Sequence, residues 1–258
     1  LAHNRNKKSI TVNLKHPKGK EIVRRLLPTC DVVYENFRPG VMSRLGFAYE
    51  DCREINPSIV YASATGYGAD GPYVHRPGQD LLAQALGGFD VVNATADGRP
   101  TSIGFAASDL MGALYGAYGV LAALYHRKHT GEGQQVNVNL LSGTVAALAE
   151  PAVHFLNTGE PPRRKTPAHA CPYQAQPYGV YRTKDSYLAI SGRHLGSRLS
   201  KALGIPDLEK DPRFDTFLNR YKNHDELERL IEEALGRKTT AEWMPIMEAE
   251  DGWAAPGN

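Results

Sequence analysis

Within the first 65 residues, short apolar runs alternate with segments of helical spacing, and that alternation restricts the fold more than anything else in the sequence. Residues 9–14 (Ser-Ile-Thr-Val-Asn-Leu) alternate apolar with polar and predict a strand, followed by a His-Pro-Lys-Gly turn and a helical pattern over 20–27. Residues 31–35 predict a second strand, 49–55 a helix and 59–64 a third strand. Strands separated by helical crossovers pair in parallel, so an open α/β sheet is expected. Ligands of such sheets sit beyond the carboxyl ends of the strands, here in the loops beginning at Asn36 and Thr65.

From Asp80 the spacing becomes helical, with Leu81, Leu82, Ala85 and Leu86 on one stripe and the Gly87-Gly88 pair as its stop. A longer helical pattern spans 109–128 and carries Gly112, Gly116 and Gly119 on one face. Each interior glycine costs about 1 kcal/mol against alanine, so this face implies close approach of another backbone or of a ligand. Residues 136–141 predict a strand. Residues 151–177, rich in Pro, Arg and Thr, read as a connecting segment; 178–191 form strand, turn and strand, and 223–236 and 239–249 are charged amphipathic helices. The expected organisation is a large α/β domain over 1–160 and a linker with a smaller α+β domain over 161–258.

Composition narrows the function by exclusion. Thirty Lys+Arg against 28 Asp+Glu leave a net charge of +2, too balanced for a nucleic-acid or membrane-surface partner. Cys30, Cys52 and Cys171 stand far apart without a CxxC pair, so no metal site and no disulfide framework is expected, and a reducing, cytoplasmic setting fits. No unbroken apolar run reaches about 18 residues, and the start Leu1-Ala-His-Asn-Arg is neither a signal sequence nor an initiator methionine; the chain reads as an excerpt of something longer. The phosphate loop, the HExxH zinc motif and the GxSxG nucleophile elbow are all missing.

Four polar clusters remain: residues 4–9 with Lys15, the 36–44 loop, the 66–80 loop, and Ser108-Asp109 at a helix start. Lys7, Lys8, Lys15, Arg38 and Arg44 suit the phosphates of an elongated anion, or form an ordinary solvated surface. Asp109 is either a chemical group or the N-cap of its helix.

These segments together resemble the class III CoA-transferases, the group of formyl-CoA transferase and carnitine CoA-transferase. The resemblance rests on Asn4-Arg-Asn-Lys-Lys-Ser-Ile, on Asp31-Val-Val-Tyr-Glu-Asn-Phe-Arg-Pro-Gly-Val-Met-Ser-Arg-Leu-Gly-Phe, and on Gly66-Tyr-Gly-Ala-Asp-Gly-Pro-Tyr-Val-His-Arg-Pro-Gly-Gln-Asp. Ser108-Asp-Leu-Met-Gly-Ala, His129-Thr-Gly-Glu-Gly-Gln-Gln-Val and the stretch from Glu242-Trp-Met to Ala255-Pro-Gly-Asn continue it in order. The family chain is longer at both ends, and the glycine-rich loop with which some members cover the site has no counterpart over 161–178.

The resemblance implies a CoA-binding domain in the α/β region, an interlocked homodimer, and acyl-CoA and carboxylic acid substrates without a metal or further cofactor. It implies Asp109 as the nucleophile, kept ionised by its helix N-terminus, forming aspartyl anhydride and aspartyl-CoA thioester intermediates. Lys15 and Arg44 would hold the CoA phosphates, with Arg38 beside them, and Val12, Asn36 and Phe37 would line the adenine and pantetheine path. Asp80 and Gln84 fall where the family orients the thioester, Asp80 having a helix-start cap as its alternative. The Gly87-Gly88 amides are candidates for the oxyanion, or simply packing. The related α-methylacyl-CoA racemases carry a general-base histidine where this chain has Gln79, which cannot accept a proton at neutral pH, so transfer is favoured over racemisation. A non-catalytic CoA-binding subunit is a further alternative, against which Asp109 argues.

Overall fold

The computed structural model describes residues 4–192, 197–205, 208–250 and 254–257. The readings of the first three residues, and of 251–253 and 258 within the last family segment, lie outside the described residues. The chain divides into two compact units, Leu1–Gly87 with Gly104–Ala147, and Gly88–Ile103 with Leu148–Asn258.

The elements run in chain order as α1 (Pro17–Leu26), β1 (Val32–Glu35), α2 (Val41–Leu45), α3 (Tyr49–Ile55), β2 (Val60–Thr65), α4 (Asp80–Gly87), α5 (Phe89–Val92), α6 (Ala107–Thr130), β3 (Gln135–Asn139) and α7 (Leu140–Ala147). All but α5 belong to the first unit. Its sheet is the parallel one expected, in the order β1-β2-β3, with Val32 opposite Val60 and Tyr61 opposite Gln135. Central β2 is buried nearly throughout. Leu27, Phe47, Cys52, Ile59 and Tyr61 form a core beneath it, where the Tyr61 hydroxyl donates to the Phe47 carbonyl at 3.0 Å.

The strand expected over 9–14 does not form. Alternation specifies two faces but supplies no neighbour to complete a ladder, and this segment is committed to α1 instead. The Asn13 carbonyl accepts from His16 N–H at 3.1 Å and its side chain from Lys15 N–H at 3.0 Å. Gly19 of α1 lies so close that a Cβ there would overlap the Asn13 carbonyl. The helix starts earlier than its apolar spacing shows, at Pro17, with His16 Nδ1 accepting from Lys18 N–H at 3.2 Å.

Helix α6 organises the first unit. A Cβ on Gly112 would stand 2.8 Å from Leu140 Cδ2, one on Gly116 2.8 Å from Tyr34 Oη, and one on Gly119 2.5 Å from Val136 Cγ1. The glycine face therefore seats the helix on β1, β3 and α7. At its far end Gly131 (φ +79°) terminates it, and Arg127 bonds the Asp31 carboxylate at 2.7 Å and the Asp31 and Ser58 carbonyls at 3.2 Å. By length (24 residues) and mean hydropathy (1.2) α6 also qualifies as a membrane-crossing helix, which a search for an unbroken apolar run overlooks; here its small-residue face packs against protein.

The second unit continues with α8 (Ala149–Thr158), β4 (Tyr178–Arg182), β5 (Tyr187–Ser191), α9 (Ser197–Ala202), α10 (Phe217–Lys222), α11 (His224–Leu235), α12 (Thr240–Ala249) and β6 (Ala254–Gly257). Its sheet is antiparallel, β4-β5-β6, over a core that includes Tyr181, Leu188, Phe214, Leu227, Ile231 and Met247. β6 was absent from the sequence expectation because Ala-Ala-Pro-Gly carries no strand signal; as an edge strand it tolerates Pro256 opposite Leu188.

The expected boundary at 160/161 is displaced. Residues 149–158 are helical rather than part of a connecting segment, with Pro151 in the first turn, where no N–H bond is lost. Glu150 accepts from the Tyr173 hydroxyl at 2.6 Å and His154 faces the Tyr173 ring, which ties α8 to the second unit.

Gly119→Ala should lower stability by about 1–3 kcal/mol despite alanine's better helix propensity, because β-branched Val136 has little room to yield. Gly104→Ala, with nothing within 4 Å, should change the denaturation midpoint little. Equal midpoints for both variants would remove the seating role of α6.

Candidate active site

The carboxyl ends of the parallel strands open into a cavity of about 570 Å³. Asn36, Phe37 and Arg38 enter it just after β1, Thr65 and Gly66 at the end of β2, and Leu140 just after β3. Gln79 and Asp80 come from the start of α4, and Asp109 and Gly112 from the start of α6. The loops beginning at Asn36 and Thr65 are thus brought together as parallel topology requires.

Each wall has its own anchor. Glu35 closes the first turn by accepting from Phe37 N–H at 2.7 Å and from the Ser63 hydroxyl. The 66–79 loop folds back so tightly that a Cβ on Gly78 would overlap Gly66 Cα, and Thr65 Oγ1 accepts from Gly68 N–H at 2.9 Å. Within that loop Arg76 lies over the Tyr73 ring at 4.3 Å.

Asp109 is the third residue of α6, not its cap; the N-cap is Ala106, which has no acceptor side chain. Asp80 does the capping from another helix, its Oδ1 accepting from Ser108 N–H at 2.8 Å and Asp109 N–H at 3.1 Å. Gln84, 1% exposed, donates to Asp80 Oδ2 at 2.6 Å and to the Phe105 carbonyl at 3.1 Å. The expectation that free helix N–H groups favour the charged form of Asp109 is therefore corrected. Two of those N–H groups are spent on Asp80, and the Asp109 carboxyl is pushed above its ordinary value, first by desolvation and then by the Asp80 charge.

Of the remaining candidates, Gln79 lines the cavity, while Gln84 stands behind Asp80. Val12, Lys15 and Arg44 are not part of the lining; Lys15 and Arg44 are exposed and have no carboxylate partner among the described residues. The oxyanion role offered for Gly87-Gly88 does not fit their placement. A Cβ on Gly87 would collide with Thr144, and Gly88 (φ +100°) is the turn before α5; neither lines the cavity. Sequence reasoning passed over Tyr34, Glu35, Tyr67 and Arg76. Tyr34 and Glu35 read as ordinary strand residues, and only their position at a strand's carboxyl end marks them.

A model of the family described as CoA-transferase family III matches residues 1–258. Acetyl-CoA:oxalate CoA-transferase of Acetobacter aceti is 38% identical over 247 residues, covering 95% of this chain and 63% of that protein. Succinyl-CoA:glutarate CoA-transferase of Mus musculus is 38% identical over 250 residues, covering 96% of this chain and 57% of that protein. Among solved structures, a CaiB/BaiF family protein from Brucella suis superposes with a TM-score of 0.82 at 34% identity, over 98% of this chain and 66% of that one. Rv3272 from Mycobacterium tuberculosis gives a TM-score of 0.85 at 35% identity, over 98% and 67%. The chain spans roughly three-fifths of the length of these two curated relatives.

Gly78→Ala brings two backbones into overlap with no side chain able to yield, so the 66–79 loop must open. Limited proteolysis should cut the variant within this loop much faster than the wild type, and equal cleavage rates would remove the closed-loop geometry of the cavity.

Proposed function

This chain belongs to CoA-transferase family III, and from that premise we propose that it moves coenzyme A from an acyl-CoA thioester to a carboxylic acid, with Asp109 as nucleophile. The observation that carries this reading is the position of Asp109. It is a partly desolvated carboxylate on a helix start, lining a cavity at the strand ends together with the Asn36–Phe37–Arg38 turn.

An Asp109 oxygen attacks the thioester carbonyl; the C–S bond breaks, and CoA leaves as thiolate from an aspartyl-acyl anhydride. The thiolate attacks the Asp109 carbonyl of that anhydride, releasing the donor acid as carboxylate and leaving an aspartyl-CoA thioester. The acceptor carboxylate then attacks this thioester, thiolate departs, and its return to the acceptor carbonyl regenerates the Asp109 carboxylate. Every step exchanges one anion for another, so no general base is required. Gln79 suits this chemistry: its amide can donate to an oxyanion but cannot abstract the α-proton, as racemisation would require.

Asn36, Phe37 and Arg38 would line the pantetheine path, with exposed Lys15 and Arg44 available to the phosphates and Val12 beside them. Oxalate and glutarate, named in two relatives, are dicarboxylates. The Arg38 and Arg76 guanidiniums in the cavity have no ion-pair partner among the described residues and suit an acid with a second carboxylate. Leu114, Tyr118, Leu121 and Tyr125 form an exposed apolar face on α6, which a second copy of the chain would cover. The free cysteines fit a reducing, cytoplasmic setting.

With acyl-CoA, mass spectrometry should find CoA attached to the peptide containing Ser108-Asp109, in a linkage that hydroxylamine cleaves. Asp109→Asn should abolish adduct and turnover while shifting stability by no more than about 0.5 kcal/mol, since Asp80 still caps the helix. Wild-type turnover in that variant would overturn the mechanism. Lys15→Ala and Arg44→Ala should each weaken CoA binding by about 1.5–3 kcal/mol, the loss shrinking at high salt; calorimetric titration showing unchanged affinity would return both residues to the solvated surface.

A further inference from the structure

A helix leaves its first four N–H groups unpaired, and a side chain immediately before it is the usual partner. α6 has none, and the acceptor comes from 28 and 29 residues upstream in the form of Asp80. The two oxygens of that carboxylate are divided: Oδ1 takes the N–H groups of Ser108 and Asp109, and Oδ2 takes the amide of Gln84, which also grips the Phe105 carbonyl just ahead of α6. The loop is closed from the other side by Ser108, whose fully buried hydroxyl accepts from Thr144 of α7 at 2.7 Å. An amide or hydroxyl at position 80 would cap α6 as well. A carboxylate does something more: it places a second negative charge at the turn that carries Asp109.

We propose that Asp80, pinned by Gln84, is a positioning residue of the transfer reaction: it fixes the first turn of α6 and sets a negative charge against Asp109 without itself bonding the acyl group. The inference rests on Asp109 being the nucleophile, and it reassigns Asp80 and Gln84 from orienting the thioester to orienting the attacking group. The charged or titratable groups that line the cavity with Asp109 are Asp80 from α4, bonded to its N–H, Arg38 from the turn after β1, Tyr67 and Arg76 from the 66–79 loop, and Tyr34 from β1. Asp80 is the one anion among these neighbours. Desolvation, and after it the Asp80 charge, opposes ionisation of Asp109, so Asp109 holds its proton to higher pH than an isolated aspartate, and as a carboxylate it is more basic and more nucleophilic. The N–H groups that would blunt a carboxylate's basicity are meanwhile committed to Asp80.

The test follows Asp109 directly, without reliance on turnover. In the full chain labelled with carboxyl-¹³C aspartate, the Asp109 resonance is assigned by its loss in Asp109→Asn, and its titration is compared between wild type and Asp80→Asn. The asparagine keeps an oxygen for the two N–H groups, and the Gln84 amide can turn to meet its NH₂. The Asp109 midpoint should fall to lower pH in Asp80→Asn, the acid limb of kcat should move with it, and kcat should drop by up to about 10²-fold with KM for acyl-CoA unchanged. An unmoved midpoint, or a raised KM at wild-type kcat, overturns the proposal and makes Asp80 a cap or a substrate contact. If Asp80→Asn does not fold, Gln84→Met decides: it frees Asp80 from behind the cavity, and wild-type kcat in that variant is equally fatal. Persistence of activity in Asp109→Asn would instead sink the nucleophile reading, while the midpoint shift remained measurable in its own right.

Discussion

The close seat of α6 on the sheet is the contact on which the site depends. With side chains absent at Gly112, Gly116 and Gly119, the helix axis approaches Leu140, Tyr34 and Val136 within distances that any Cβ would forbid. The approach costs helix propensity, about 1 kcal/mol per glycine, and returns it as packing against β1, β3 and α7. Arg127 fixes the opposite end against Asp31 and Ser58, so the helix cannot slide along its groove. The first turn of α6 is thereby held at the carboxyl edge of the sheet, where the loops after β1 and β2 converge. Asp109 owes its place in the cavity to glycines up to ten residues away in sequence.

Electrostatics at that turn run against the simple expectation for a helix start. A carboxylate there ordinarily gains from the partial positive charge of the unpaired N–H groups. Here Asp80 takes that stabilisation and leaves Asp109 with partial desolvation and a like charge, both of which disfavour its ionised form. The local arrangement is unfavourable for Asp109 and tolerable because Asp80 itself is fully bonded, by two N–H groups and an amide. Strain of this kind concentrates where a group is kept reactive instead of comfortable.

Most of the scaffold was legible because it is written in local patterns. The α3 bounds, β1 and the hairpin over 178–191 follow from patterns within a dozen residues, whereas the strand expected over 136–141 ends at Asn139, and Leu140 and Leu141 begin α7. Residues 9–14 show the limit: their alternation is real, yet a strand is a relation between two segments, and Asn13 and Gly19 bind this one to α1. The cap of α6 was illegible for the same reason. Nothing near Asp109 announces that its partner is Asp80, since the pair meets only after two helices have packed. Gly87-Gly88 misled in the opposite sense: a glycine pair near a helix end offers free amides on paper, whereas Thr144 fills the space beside Gly87. Resemblance to a family supplied residue identities at the site but not these relations between them.

On the proposed mechanism, CoA must remain bound while the two acids exchange, because the thiolate attacks twice and is twice displaced. A mobile carrier turn would let it escape between those events. The Asn36–Phe37–Arg38 turn is fixed at its root, where Glu35 accepts from Phe37 N–H on one side and from Ser63 of the central strand on the other. The Gly66–Gly78 contact draws the facing loop shut without side chains of its own in the space between. Rigid walls around a charged nucleophile also reduce the reorganisation each anionic step demands. On that mechanism the site passes a negative charge from oxygen to sulfur and back and needs fixed geometry more than it needs acids and bases, and the fold places a close glycine contact and a carboxylate bonded at both oxygens next to Asp109.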